Sequence, residues 1–431
     1  MNVMPRISGL LGQSKTRHGT IGVLDIGTSK VVCMIAHSDG NAQPTIRGIG
    51  QHASAGIKRG EVVDISALSL AVGKAVEVAE RMAGISIENV VVGLSGATQK
   101  SQIRTHQVDV ASGEVLERDI RRLINLDFLE AEPQGRVILH RLPIEFSLNG
   151  ITGIKNPQGM FGQTLGIKIC SISASDTALR NIQMAVERNH LSIEHYVSNT
   201  YAAGLSALLE DERDLGATVI EIGGGVTSLA YFTDGELRFL DSIPFGGASI
   251  TNDIARGLSI PVDEAERIKT LKGSVLAGPG DSDEMLTLPM LSQDSDHPLS
   301  IELGVLGDII RARIEEILEM LLLRLEKAGY SSAAGQRVIL VGGAAQLPGM
   351  REFVSTMIGR SVRLGRPAGV IGLADATAHS AFASPVGLIH YSYVRQPFEL
   401  SLADAGTSRR SGRLSQIGSW FKYYIWDAGN R

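Results

Sequence analysis

The segment IGVLDIGTSK, residues 21–30, places an acid, a glycine and two hydroxyl residues directly after a run of apolar residues. The apolar run is typical of a buried strand, and the apolar residues that follow the turn are typical of its hairpin partner. Backbone N–H groups in such a turn can curl around an anion, to which Thr28 and Ser29 add hydroxyl donors and Lys30 a positive charge. Asp25 could hold a hydrated Mg²⁺ ion. Taken alone, a turn of this kind more often belongs to an ordinary hairpin.

A second turn of this kind lies in the segment ATVIEIGGGVTS, residues 217–228. Glu221 ends the apolar run there, as Asp25 does in the first turn. Three consecutive glycines after a buried strand lose much conformational freedom on folding, so a merely tolerant loop explains them poorly. They fit a backbone that approaches a phosphate group closely, with a simple glycine bend as the alternative. The repetition of strand and turn predicts a duplicated protein with two lobes.

A third glycine turn lies in VILVGGAAQLPG, residues 338–349. A turn of two glycines, Gly342 and Gly343, that opens a helix would offer a flat shelf for a purine or a ribose. Tight packing between strand and helix is the alternative. The chain contains no G-x-x-x-x-G-K-[ST] motif, and its glycine turns do not fit G-x-G-x-x-G. Neither a P-loop nor a Rossmann dinucleotide site is therefore predicted.

The composition limits the classes of function. The chain has 431 residues, of which 43% are hydrophobic, and a formal net charge of −5. Two or more domains are therefore expected, and a nucleic-acid partner is not, because a broad basic surface is missing. Cys33 and Cys170 lie in apolar runs, which indicates free thiols in a reducing cytoplasm rather than a disulfide framework. The histidines show no metal-site spacing.

The order of the three turns resembles the phosphate-1, phosphate-2 and adenosine motifs of the superfamily that contains actin, sugar kinases and chaperone ATPases. Longer stretches resemble FtsA, the actin homologue of bacterial cell division, over about residues 20–431. These stretches are GIKNPQGMFG (153–162), LLEDERDLGATVIEIGGG (208–225), IPFGGASITNDIA (243–255), VGGAAQLPGM (341–350) and GSWFKYYIW (418–426). The resemblance implies an α/β fold with two actin-like (RNase H-like) lobes and a family-specific α+β insertion of the 1C type in the first lobe.

The resemblance and the pattern of predicted elements together divide the chain into successive parts. These are a flexible N-terminal tail (1–19), subdomain 1A (20–87 and 175–204), the insertion or subdomain 1C (88–174), subdomain 2A (205–247 and 336–396), the mostly helical subdomain 2B (248–335), a flexible linker (397–413) and an amphipathic membrane-targeting helix (414–431). The insertion is expected to contain the strand VVVGLSG (90–96) and the helix ERDIRRLINLDFL (117–129).

The resemblance further implies an ATP site between the lobes, with Mg²⁺. Asp25 and Glu221 are its candidate metal residues, acting through water. Glu266 and Lys269 match the helix that contacts the base and ribose in the family, with a solvated helix face as the alternative. The full set of ATP candidates is Asp25, Gly27, Thr28, Ser29, Lys30, Glu221, Gly223, Gly224, Gly225, Gly246, Gly247, Glu266, Lys269, Gly342, Gly343, Ala344 and Gln346.

Two positions depart from the family's usual Asp-Ile-Gly-Gly-Gly-Thr pattern, since Glu221 replaces Asp and Val226 replaces Thr. A glutamate displaces the carboxylate by roughly 1 Å, a shift that can cost about 100-fold in rate, and valine cannot donate a hydrogen bond to phosphate. Glu194, Asn199 and Thr200 lie near the place where a residue that orients water is sought, but none stands out. Hydrolysis is therefore expected to be slow, with ATP as a structural or switching ligand, and no catalytic residue is assigned.

The C-terminal segment has the pattern of an amphipathic helix. Its apolar face, at helical spacing, comprises Leu414, Ile417, Trp420, Phe421, Tyr424 and Ile425. The segment is too short to span a bilayer, and it follows a basic linker. A helix in the interface of an anionic membrane is therefore predicted, with docking on the protein itself as the alternative. One such tail binds weakly, so the anchor favours a protein that polymerises.

These features and the resemblance imply an actin-like, ATP-binding scaffold of cell division. Such a protein polymerises, tethers filaments of the tubulin-like FtsZ to the cytoplasmic face of the inner membrane at the division site, and helps to recruit later division proteins. The FtsZ C-terminal peptide is expected on subdomain 2B, and later division proteins on subdomain 1C. The alternatives are an actin-fold adaptor of the pilus-assembly type and a small-molecule kinase of the same superfamily.

Overall fold

The computed structural model describes residues 17–40, 43–96, 98–130, 132–276, 278, 284–288, 299–330 and 337–393. The predicted linker (397–413) and the predicted amphipathic helix (414–431) lie outside these ranges. Among the described residues, no helix combines the length and the apolar character that crossing a membrane requires. The first strand begins at Gly19, and Arg17 pairs with Glu194, so the chain contacts the body slightly before the predicted start at residue 20.

The elements alternate between strands and helices along most of the chain. The strands are β1 (Gly19–Ile26), β2 (Lys30–Ser38), β3 (Thr45–Ala53), β4 (Ile57–Lys58), β5 (Glu61–Val62), β6 (Asn89–Leu94), β7 (Lys100–Asp109), β8 (Arg136–Leu148), β9 (Ile151–Ile154), β10 (Thr164–Ser175), β11 (Ser192–Ser198), β12 (Ala217–Ile222), β13 (Thr227–Thr233), β14 (Glu236–Ile243), β15 (Met285–Leu288), β16 (Leu299–Glu302), β17 (Arg337–Val341) and β18 (Ser361–Leu364). The α-helices are α1 (Ile65–Ala83), α2 (Glu117–Leu129), α3 (Asp176–Glu187), α4 (Asn199–Ala207), α5 (Glu210–Leu215), α6 (Gly247–Leu258), α7 (Val262–Lys272), α8 (Leu303–Lys327), α9 (Met350–Ile358) and α10 (Ala383–Tyr393).

The sheet of the first lobe has the order β11-β6-β1-β2-β3. β1, β2 and β3 form an antiparallel meander, which confirms the predicted hairpin, while β6 runs parallel to β1 and β11 parallel to β6. Residues 21–26 and 31–36 are buried without interruption, as is typical of strands that are covered on both faces.

The sheet of the second lobe repeats this arrangement strand by strand. Its order is β18-β17-β12-β13-β14, with an antiparallel meander of β12, β13 and β14 and two further parallel strands beside β12. Asp25 and Glu221 occupy equivalent places, each one residue before the end of its central strand. The predicted duplication is confirmed, and both glycine turns leave the carboxyl end of a central strand.

The first helix, α1, has the predicted ends. Asp64 caps its start by accepting from the N–H groups of Ser66 and Ala67, and Gly84 ends it in the left-handed conformation, at φ 70°. Its buried stripe faces β3, where a Cβ atom at Gly50 would lie 1.9 Å from Ala75 O. The helix can therefore approach the sheet this closely only over a glycine.

The insertion pairs its strands in the order β7-β10-β8-β9, and α2 packs its buried apolar residues on this sheet. The predicted bounds of its helix, 117–129, are confirmed. The prediction that residues 89–94 belong to the insertion is wrong, because β6 pairs with β1 and β11 in the sheet of the first lobe. A short apolar run shows that a strand forms, but it does not show which sheet the strand joins.

The insertion also pairs with the second lobe. β7 meets the edge strand β14 at the pair Lys100–Asp241, so the two sets of strands form one continuous sheet. At the same place Ser101 Oγ accepts a hydrogen bond from Leu240 N at 2.7 Å and donates one to Leu240 O at 2.9 Å. The insertion, which belongs to the first lobe in sequence, is thereby attached to both lobes.

Two helices, α4 and α10, connect the lobes. α4 follows β11 of the first lobe and leads to the second, and α10 returns to pack on β1, β2 and β6. The two helices contact each other so closely that a Cβ atom at Gly387 would lie 1.8 Å from Ala202 O. This crossing therefore needs a glycine.

We expect Gly387→Ala to destabilise the protein by about 1–3 kcal/mol, because the added methyl group overpacks the contact between α4 and α10. Gly307→Ala is the matched control, since Gly307 lies inside α8 and its nearest neighbour would be Ser274 O at 3.5 Å. This control should stabilise the protein by about 0.5–1 kcal/mol, as alanine does in a helix interior. The measurement is urea unfolding at equilibrium, and a Gly387→Ala chain as stable as the unmutated one would contradict this packing.

Candidate functional site

Two acids, one from each lobe, are held by neighbouring residues at the start of α4. Asn199 Nδ2 donates a hydrogen bond to Asp25 Oδ1 at 2.6 Å, and Thr200 Oγ1 donates one to Glu221 Oε2 at 2.7 Å. Ser384 Oγ, at the start of α10, donates to the other oxygen of Glu221, Oε1, at 2.6 Å. Asn199 and Thr200 were candidates for orienting water, and the structure places both against the acids.

The first two glycine turns lie against each other. Each is closed by the same hydrogen bond, from Gly27 N to Lys30 O at 3.0 Å and from Gly223 N to Val226 O at 2.9 Å. A Cβ atom at Gly224 would lie 1.9 Å from Ser29 Oγ. A Cβ atom at Gly225 would likewise lie 2.6 Å from Thr28 Oγ1, so Gly224 and Gly225 of the second turn both pack on the first turn.

The predicted glycine pair, Gly246 and Gly247, completes the second turn. Gly247 N donates to Gly223 O at 2.9 Å, and Ala248 N donates to Gly224 O at 2.7 Å. A Cβ atom at Gly246 would lie 2.5 Å from Gly223 O, so this position also requires glycine. Helix α6 therefore starts directly beside the turn.

The charged pair on α7 lies beside the same glycines. Lys269 is 8% exposed, and its Nζ donates to Gly247 O at 3.2 Å, to Thr251 Oγ1 at 2.7 Å and to Glu266 Oε2 at 2.6 Å. Burial favours the neutral form of Glu266, but the bonds from Lys269 and Thr251 outweigh it and lower the pKa of this carboxyl. A solvated helix face is therefore wrong for Lys269.

The third turn packs on the end of β12. Gly342 has φ 92°, and a Cβ atom there would lie 2.4 Å from Ile222 O. Gly343 has no neighbour within 4 Å, so it lies open, while Gln346 Nε2 lies 2.7 Å from His379 Nδ1. The helix expected directly after the two glycines starts only at Met350, after a short 3₁₀ turn at Ala344–Gln346.

Lys30 contacts Phe382, a residue that the sequence patterns did not indicate. Its Nζ lies 3.9 Å from the centre of the Phe382 ring, a cation–π contact. Burial lowers the pKa of Lys30, and the nearby charge of Asp25 opposes this shift. Phe382 and Ser384 lie far from every glycine turn in sequence, so no local pattern indicates them.

The two acids are electrostatically unfavourable as they stand. Burial raises the pKa of Asp25, against the charge of Lys30 and the hydrogen bond from Asn199. Burial raises the pKa of Glu221 to about 7, against the bonds from Ser384 and Thr200, and the charge of Asp25 adds to the rise. The raised pKa values mean that a cation beside these two carboxylates would stabilise their ionised form. Carboxylate oxygens are hard ligands, so the pair fits a hydrated Mg²⁺ ion.

Comparison with known proteins decides the family. The family model for "Cell division protein FtsA" matches residues 218–387, and the model for the "SHS2 domain inserted in FTSA" matches residues 96–173. The cell division protein FtsA of Agrobacterium fabrum is 38% identical over 434 residues, which cover 97% of each chain. The chain belongs to the FtsA family. FtsA of Escherichia coli K12 is 31% identical over 93% of this chain and 95% of its own, and FtsA of Pseudomonas aeruginosa 31% over 90% and 93%.

Solved structures show that the fold is actin-like. The PilM-PilN type IV pilus biogenesis complex aligns with a TM-score of 0.62 at 17% identity, covering 88% of this chain and 99% of that one. MreB5 of Spiroplasma citri bound to ADP aligns with a TM-score of 0.51 at 13% identity, covering 86% and 96%. The two-lobed prediction is thus confirmed. The match of the inserted-domain model from residue 96 also agrees with β6 ending before the insertion.

The FtsA relatives make this chain an actin-like cell division protein. They do not favour the pilus-type adaptor or the small-molecule kinase. The likeness to the PilM-PilN complex shows a shared fold alone, because the identity is low.

We expect Glu221→Gln to stabilise the unliganded protein at pH 8. The Glu221 carboxyl has a pKa of about 7 in the folded protein, against an ordinary value of 4.5. Between these two pH values the carboxyl is therefore protonated in the folded protein and ionised in the unfolded chain. Stability therefore falls as the pH rises from about 4.5 to 7, by about 1–3 kcal/mol after allowance for partial exposure. Glutamine should remove this loss, as measured by urea unfolding at pH 5 and pH 8.

Glu212→Gln is the control of opposite sign. Burial disfavours the charged form of Glu212, but bonds from Arg363 and Arg337 outweigh it and lower the pKa of the carboxyl. The stability from this ion pair is present above the ordinary pKa and is lost as the pH falls. The variant should therefore be destabilised at pH 8, and a Glu221→Gln chain that loses stability in the same way would contradict the predicted effect.

Proposed function

We propose that this FtsA-family chain binds ATP with Mg²⁺ between its lobes and, as a polymer, tethers FtsZ filaments to the cytoplasmic face of the inner membrane at the division site. The observation that carries the ATP proposal is the convergence of three glycine turns and two acids, the buried Asp25 and the half-buried Glu221, on one place. Separate lobes supply Asp25 and Glu221, so a ligand that bridges them also holds the lobes together.

In this proposal the backbone N–H groups of the first two turns hold the phosphates, and Asp25 and Glu221 hold the water shell of the metal. When bound, the ion would add positive charge to that of Lys30, which by itself leaves the pKa of both acids raised. Gly343 is open and Gly247 lies beside Lys269, which leaves the third turn and α7 to hold the base and ribose.

Slow hydrolysis is part of the proposal. Both oxygens of Glu221 accept hydrogen bonds, from Thr200 and Ser384, so the carboxylate is held in one orientation, and its remaining lone pairs are those assigned above to the water shell of the metal rather than to an attacking water. Val226 is buried and offers no hydroxyl to phosphate. ATP then acts as a switching ligand that remains bound.

We expect Asp25→Asn to weaken the binding of Mg-ATP by about 10–100-fold, because it removes one of the two charges that face the metal. Asp64→Asn makes the same chemical change at the start of α1, where asparagine caps a helix as well as aspartate, and should leave binding unchanged. Titration with a fluorescent ATP analogue gives the affinity, and phosphate release is followed in the same sample. An unmutated chain that does not bind ATP would contradict the site, and rapid turnover would contradict slow hydrolysis.

The tether proposal rests on the family and on the C-terminal sequence. The segment 414–431 supplies the apolar face for the membrane, and several tails on one polymer would bind by avidity. Subdomain 2B is the proposed place for the FtsZ C-terminal peptide. Its surface has a shallow pocket between α7 and α8, lined by Lys272, Ser274, Leu276, Gly278, Leu303 and Gly307. Later division proteins are assigned to the insertion.

We expect Trp420→Glu to abolish flotation of the chain, and of FtsZ added with it, on vesicles that contain anionic lipid. A charge on the apolar face opposes its burial in the interface. Ser419→Glu places the same charge on the neighbouring polar position and should reduce flotation at most about twofold. Equal losses in both variants would indicate simple charge repulsion, and unchanged flotation with Trp420→Glu would exclude this segment as the anchor.

A further inference from the structure

His140 lies fully buried where the insertion meets the first lobe. It belongs to β8, and its Nε2 accepts a hydrogen bond from Ser198 N at 3.0 Å. Its ring contacts Tyr201 of α4 and Tyr391 of α10, with ring centres 5.1 and 5.6 Å apart. An apolar residue of similar size would leave the buried N–H of Ser198 without this acceptor, which is costly. The imidazole therefore does more than fill space.

Ser198 is the last residue of β11 and the N-cap of α4. The side chain of Ser198 makes no capping bond to the helix, and its Oγ has no hydrogen-bond partner among the described residues. The next two residues, Asn199 and Thr200, hold Asp25 and Glu221. Three consecutive residues thus link the insertion to the acids of both lobes, and His140 supplies the acceptor that positions their backbone.

The insertion has a second attachment, to β14 of the second lobe. Besides the pair of bonds between Ser101 and Leu240, Ser242 Oγ of β14 donates to the carbonyls of Gly96 and Gln99 at 3.1 and 3.2 Å. These bonds join the second lobe to the segment that enters the insertion. A movement of one lobe relative to the other must therefore move the insertion or break these bonds.

We propose that His140 is a positioning residue that couples the insertion to the two-acid site, so that the insertion responds to nucleotide. The proposal rests on the binding of ATP proposed above. When a ligand draws Asp25 and Glu221 together or apart, Asn199 and Thr200 follow, and the bond from Ser198 N to His140 carries the displacement into β8. The insertion then presents its outer surface differently in the two nucleotide states.

The test is hydrogen exchange, followed by mass spectrometry, on the full chain with and without Mg-ATP. In the unmutated chain ATP should slow exchange at both glycine turns and also in β8 and β10. His140→Phe keeps a ring against Tyr201 and Tyr391 but removes the acceptor, and should lose the response of β8 and β10 while the turns remain protected. His140→Gln restores an acceptor and should recover at least half of the response. A purely structural role would change the thermal stability of these variants without separating the two regions in this way.

Ser101→Ala provides a second test of the coupling. Ser101 is partly exposed, so the folded protein tolerates this substitution more easily than one at His140. It weakens the attachment to β14 and should at least halve the response of β7 and β10. Protection of the turns without any response of the insertion in the unmutated chain overturns the coupling but leaves the ATP site standing. Absence of protection at the turns overturns both. An undiminished response in His140→Phe, or in Ser101→Ala if the former does not fold, overturns the role assigned to these contacts.

Discussion

The contact between the first two glycine turns is the constraint on which the rest of the molecule depends. Ser29 occupies the space that a side chain at Gly224 would need, so its side chain packs directly on the backbone of the second turn. Each turn ends the central strand of a lobe, and their contact therefore places one whole sheet against the other. The third turn packs against the end of β12, at Ile222 O. A side chain at Gly224 or Gly225 would press on Ser29 or Thr28 of the first turn and so act against the contact between the lobes.

The same closeness explains the charges of the site. Asp25 and Glu221 are shielded from water at the ends of the central strands, and this burial raises the pKa of both. The protein offers mainly neutral donors to them, the amide of Asn199 and the hydroxyls of Thr200 and Ser384. Neutral donors orient a carboxylate, but they compensate its charge less than a cation does. The arrangement therefore suits a protein that is stabilised by a bound metal and nucleotide, more than one that removes a proton from water.

The helices that connect the lobes also connect the site to the insertion. α4 carries Asn199 and Thr200, which hold the acids, and the N–H of Ser198, directly before this helix, donates to His140 of the insertion. Because the insertion also pairs with β14, it is attached to both lobes. Its strand β9 is the edge of its sheet, and Phe161 is exposed, while Lys155, directly after β9, still contacts the second lobe by donating to Asp234 O. A part placed in this way can respond to the cleft while contacting other molecules.

The sequence by itself determined the local elements and the order of the turns. Asp64 and Gly84 mark the ends of α1, the spacing of apolar residues places α2 at 117–129, and the repeated strand and glycine turn predict two lobes. These features depend on neighbours in the chain, through capping, periodicity and backbone freedom. Only the tertiary structure decided that β6 belongs to the first sheet, that Ser384 holds Glu221, and that His140 receives the N–H of Ser198. These contacts join residues that are distant in sequence, and the burial that makes them strong is created only when the lobes pack.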